Sequence, residues 1–133
     1  MLLAILFFGL IGTEVELLFL GHDEEALQFV PLVLIALGLV VISWHAMADN
    51  PSSLRLMRFM MFTLIAGGLL GIALHYRGSV EFQKEVEPSI HGFALFMKVM
   101  RSKAPPALAP AILTQLGLLG LVCTYLSKRR EKI

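Results

Sequence analysis

The sequence predicts an all-α integral membrane protein: four transmembrane helices in a bundle, with an interfacial amphipathic helix between spans 3 and 4. Three observations carry that expectation. Of 133 residues, 57% are hydrophobic and only 16% charged, where a soluble domain carries about 25% charged residues. The charges gather into short clusters and leave long uncharged windows between them. Those windows are continuously apolar and do not alternate, so they read as helices, which satisfy their own backbone hydrogen bonds in lipid, and not as barrel strands.

A helix needs roughly 20 apolar residues to cross a hydrocarbon core of about 30 Å. The first window, 1–20, has that length. It lacks a basic leader and a small-residue cleavage site before the acidic stretch His22, Asp23, Glu24, Glu25, so it reads as a span and not as a signal peptide. The second, 27–47, carries Pro31 in its first turn, where a missing N–H is tolerated, and Trp44 near its end, where amphipathic rings favour the headgroup level. Asn50, Pro51, Ser52 and Ser53 make a turn before the third span, 59–76, which closes on Tyr76. Residues 79–88 are too polar to enter lipid. An interfacial helix follows over 89–103, with Ser89 as its N-cap, and Ile90, Phe93, Ala94, Met97 and Met100 recur along it at helical spacing. Lys98, Arg101 and Lys103 load its last turns. The fourth span, 107–126, starts among Pro105, Pro106 and Pro110, the last of which is placed to bend it, and ends beside Tyr125. No repeat or linker divides 1–133 into two domains.

Composition also excludes. A formal charge of +1, from 11 basic and 10 acidic residues, argues against nucleic acid as a partner, since phosphate binding needs a basic excess. One cysteine excludes a disulfide framework and the cysteine-rich zinc patterns. The partners expected are the lipid bilayer and other membrane subunits, or a copy of the chain itself. Four spans put both termini on one side with Arg55, Arg58, Lys128, Arg129, Arg130 and Lys132. The terminal basic cluster and the acidic first loop make that side cytoplasmic, in a bacterial-type inner membrane.

Glu14 and Glu16 stand out, because an ionisable group within a span costs roughly 2.5 to 3.5 kcal/mol at the centre and is a functional hypothesis by default. They lie about 9 and 6 Å inside the end of the first span, in one leaflet, and about 200° apart around the helix. Glu14 reads either as a buried carboxylate able to exchange a proton or hold a cation, or as a group satisfied by water or by hydroxyls such as that of Thr13. Gln115, in the fourth span, is the candidate to face it across the bundle. His22, His75 and His91 fall at one membrane face with the acidic loop; that rim suits a divalent metal, or a b-type haem between His22 and His75. Against this, no two histidines have the i, i+4 spacing of a helical metal pair, and span-end histidines are often interfacial. Gly67 and Gly71 form a Gly-x-x-x-Gly face for helix association, within the chain or with another subunit. Met57, Met60 and Met61 read as packing, as does Cys123.

A four-span chain with Glu14 in its first span resembles the small multidrug resistance transporters in those two respects, which would imply proton-coupled antiport at that residue. Glu16 and the roughly 30-residue stretch before the fourth span depart from that family's pattern, and its activity is not carried over. Three functions are therefore expected from the residues. The first is a non-enzymatic accessory or scaffolding subunit, or a homo-oligomer, acting by helix–helix association. The second is a proton- or cation-coupled carrier of a small solute using Glu14, with Glu16 and Gln115 in support. The third is a metal- or haem-bearing redox subunit.

Overall fold

The computed structural model describes residues 1–21, 26–102 and 108–130, with the side chains of 108–109 and 128–130 outside that description. Among these residues there are five α-helices and no strand: α1 (Leu2–Phe19), α2 (Phe29–Ala48), α3 (Pro51–Val86), α4 (Gly92–Met100) and α5 (Leu108–Arg130). A single 3-10 turn, Ala26–Gln28, leads into α2. Helices α1, α2, α3 and α5 are each long and apolar enough to cross a membrane. The chain is a multi-pass integral membrane protein in that sense.

Each long helix touches two others. Helix α1 packs on α2 and α5, and α3 packs on α2 and α5, most extensively on α5. Leu6, Leu10, Ile35, Ile42, Met57, Met61 and Leu64 are wholly buried where these surfaces meet. Lipid is as apolar as leucine, so the hydrophobic effect gives little preference for this core, and close backbone approach has to supply the contact. That approach is closest between α3 and α5. A Cβ on Gly68 would lie 2.8 Å from the carbonyl oxygen of Pro110 and would overlap the Thr114 hydroxyl; one on Gly117 would lie 2.8 Å from the carbonyl oxygen of Met61.

The third helix corrects the sequence reading most. It runs for 36 residues, about 54 Å at 1.5 Å per residue, well beyond the expected 59–76. Its start is set by chemistry that a search for uncharged windows passes over. Asp49 takes a left-handed conformation (φ 38°, ψ 53°), which reverses the chain after α2. Asn50 then caps α3, its Oδ1 accepting from the backbone N–H groups of Ser52 (3.0 Å) and Ser53 (2.8 Å), with Pro51 in the first helical position. Arg55 and Arg58, outside the expected span, therefore lie on the helix. At the other end, Gly67 sits against Leu34, Gly68 against Thr114, and Gly71 against Pro110. Counting outward from these contacts, α2 and α5 both begin near the level of Ile72 to His75, so the last three turns of α3 run on past them.

Residues 79–86, expected to be too polar for lipid, continue α3 as helix up to Val86. Helix α4 is shorter than the helix expected over 89–103. Its N-cap is His91 and not Ser89, with Gly92 at φ +60° making the turn into it. Leu95 and Val99 are its buried residues, whereas Phe93 faces outward; of the two placements open to the face with Phe93, in lipid or against the bundle, the second is not the one seen. Lys98 donates to Glu87 (2.6 Å), and the Phe96 ring lies 6.2 Å from that of Tyr76; these contacts fold α4 back along the projecting end of α3. Pro110 falls in the first turn of α5, so it does not bend that helix mid-span.

Candidate functional site

Because α3 outruns α2 and α5, the helices leave a cleft at that end. It has a volume of about 1020 Å³ and takes walls from α1, α2, α3 and α5. The small side of α3, at Gly67, Gly68 and Gly71, forms part of its surface, and leucines from all four helices line the rest: Leu17, Leu34, Leu70, Leu74 and Leu113. Polar groups come from the projecting part of α3 and its neighbours, among them Gln28, His75, Arg77, Glu81 and Gln83. The Arg77 Nε donates to Glu81 Oε1 at 3.0 Å, one turn further along the same helix. An apolar enclosure with charge at one end suits molecules that are themselves divided into apolar and polar parts. No single motif announces it in the sequence, since it is assembled from four segments.

The expected proton or cation group is not assembled. Glu14 is partly buried, Glu16 is exposed and Gln115 is exposed. One carboxylate oxygen of Glu14, Oε2, is shut away from solvent without a hydrogen-bond partner. The Thr13 hydroxyl, a candidate to satisfy it, donates instead to the Gly9 carbonyl at 2.9 Å. Gln115 does not reach Glu14 because it lies two residues, about 200° of rotation, from Gly117, which faces α3. It points outward from α5, and its neighbour Leu116 lies against Gly9, midway along α1. Thr114 is the residue turned inward, with its hydroxyl packed at Gly68 and likewise without a partner.

His75 and His91 are exposed, and His22 lies outside the described residues. Among the described residues, no three His, Cys, Asp or Glu side chains are grouped so as to hold a metal ion. His45, which no pattern in the sequence singled out, has a defined environment. His45 is 6% exposed, near the end of α2, and its Nδ1 lies 2.9 Å from Ser53 Oγ. That hydroxyl donates to the Asn50 carbonyl (2.9 Å) and accepts from the Asn50 N–H (3.2 Å). With the hydroxyl proton so placed, the ring donates through Nδ1–H. His45 thus ties the end of α2 to the cap of α3, a structural role; its signal in the sequence was only its spacing of eight from Ser53.

Gly67 and Gly71 face this chain's own helices, Leu34 of α2 and Pro110 of α5. Of the two uses expected for them, the structure places them in contacts within the chain. Gly117 and Gly120 of α5 both meet Met61 of α3, at the closest helix contact.

These features define a class, a small multi-pass membrane protein with a cleft open at one end. Comparison of the chain with protein-family models, with curated proteins and with solved structures finds no match in any of the three.

Proposed function

We propose that this protein is a non-enzymatic membrane subunit that acts by helix–helix association, as a four-helix bundle in a bacterial-type inner membrane with both termini cytoplasmic. In this arrangement α4 lies along the interface on the opposite side. The observation that carries the reading is the outward direction of Gln115. A carboxamide near the middle of a lipid-facing helix has donors and an acceptor that hydrocarbon leaves unpaired, and a second helix is the usual remedy. Gln115 supplies both donor and acceptor, so two copies of the chain related by a two-fold axis satisfy each other there. Leu118 and Val122 continue the same exposed stripe and form the packing surface around it. The partner we favour is therefore a second copy of this chain.

The test is oligomeric state in mild detergent, by native mass spectrometry. Gln115→Leu is expected to convert dimer to monomer, and Gln115→Asn to retain the dimer. A wild-type monomer, or a Gln115→Leu dimer as persistent as wild type, overturns the reading; copurification with a different stoichiometric subunit replaces self-association by a complex.

A second reading, a proton- or cation-coupled carrier, is favoured by the unpartnered Oε2 of Glu14. Proton flux measured in vesicles decides it, since Glu14→Gln abolishes coupled flux in a carrier and leaves assembly unchanged in a scaffold. The metal or haem reading draws no such support from the described residues, and a purified protein with a Soret band would restore it.

A further inference from the structure

We propose that the cleft between α1, α2, α3 and α5 is a binding site for one zwitterionic phospholipid, with its acyl part among the leucines and its headgroup at the projecting end of α3. Three features point there. The cleft is about 1020 Å³, at the top of the range of roughly 300–1,000 Å³ that small-molecule sites occupy, which suits a long molecule held by part of its length. Its character changes along its axis. The inner part is lined by Leu17, Leu34 and Leu113 from three different helices, and the outer part by the turn of α3 that carries Arg77 and Glu81. A wholly polar solute would leave the leucines unmatched, and a pure hydrocarbon would leave the outer groups unmatched, so the occupant has to be an amphiphile.

The charge of the head follows from the same turn. Among the described lining residues, Arg77 supplies the only guanidinium or ammonium group and Glu81 the only carboxylate, and the two are 3.0 Å apart. Both are well exposed, at 79% and 62%, so each retains capacity for a further ligand. A head with a single charge is drawn to one of the pair and repelled by the other. A head that carries phosphate and ammonium together meets Arg77 with the first and Glu81 with the second. The site is independent of the outer face of α5, so it stands or falls apart from the association reading.

The test uses the full chain, stripped of lipid in detergent and exposed to vesicles of phosphatidylcholine or of phosphatidylglycerol, with retained lipid counted by native mass spectrometry. One phosphatidylcholine per chain is expected, retained about tenfold better than phosphatidylglycerol. Val30→Trp and Leu74→Trp, which put bulk into the cleft, should each lower retention about tenfold, while Val40→Trp on the outer side of α2 leaves it unchanged. Equal retention by the cleft variants and wild type overturns the site, and a preference for phosphatidylglycerol overturns the assignment of the head. Wild-type protein also gives a reading without substitution. Phosphatidylcholine with a photoreactive group at its acyl end should label the segments around Leu17, Leu34 and Leu74; labelling confined to outward residues such as Val40 and Leu118 overturns the proposal.

Discussion

Single atoms decide how closely these helices meet. Gly68 and Gly12 are both glycines within spans, yet a Cβ at Gly68 runs into the backbone of α5, while one at Gly12 meets nothing within 4 Å. Gly68→Ala should therefore destabilise the protein by about 1–3 kcal/mol, because a backbone carbonyl cannot step aside as a flexible side chain can. Gly12→Ala should be neutral or slightly stabilising, and denaturant-induced loss of helix in detergent compares the two. Glu14 poses a different question. Its inner oxygen has no partner, so Glu14→Leu should leave stability unchanged or raise it by about 1 kcal/mol, measured in the same way. A clear loss of stability would mean that the carboxylate has a partner in the assembled protein. The sequence marked Glu14 by its type alone. Which of Glu14, Glu16 and Gln115 would turn inward depends on the rotation of each helix about its axis, and that is set by contacts such as Leu10 with Gly38 and Leu116 with Gly9.

At the scale of the element, α3 shows how a boundary escapes a hydropathy reading. The charged residues at 55 and 58 end the apolar window but do not end the helix, because an arginine's aliphatic stem can lie along the helix while its head reaches water. The cap at Asn50 is what starts it, and Asn50→Ala should cost about 0.5–2 kcal/mol, with Asn50→Asp recovering most of the loss. Thermal unfolding followed by circular dichroism in detergent measures both. The cost to Asn50→Ala includes any loosening of the His45–Ser53 contact, since Ser53 is held by the same two backbone groups of Asn50. Helix α4 was legible as an element, but its spacing left open whether the face with Phe93 turns to lipid or to the bundle. None of Ile90, Phe93, Ala94, Met97 and Met100 is one of its buried residues, Leu95 and Val99, and the tie to Glu87 and Tyr76 fixes which side is covered.

For the whole molecule, the order of helices places the α2–α3 connection and the projecting end of α3 at opposite ends. Cysteines introduced at Asp49 and at Gln83 should then react with a membrane-impermeant maleimide from opposite sides of sealed vesicles, while Phe62→Cys, within the span and away from the cleft, stays unreactive. Reaction of the Asp49 and Gln83 variants from the same side would remove α3 as a transmembrane helix. The native Cys123 is buried and serves as the background to subtract.

Much of this architecture follows from composition. Four apolar windows separated by charge need four helices, because a backbone in lipid has no other hydrogen-bond partner, and their number and order were legible for that reason. The windows could not show where α3 begins and ends, because caps and turn geometry act through a few polar residues and not through hydropathy. Nor could they show which glycines would bring helices together, since Gly67, Gly68 and Gly71 are equivalent on paper and differ only in what the neighbouring helix presents. The cleft belongs wholly to the tertiary structure. It exists because one helix outruns two others, and a difference in length between segments far apart in the chain creates a space only when those segments are packed side by side.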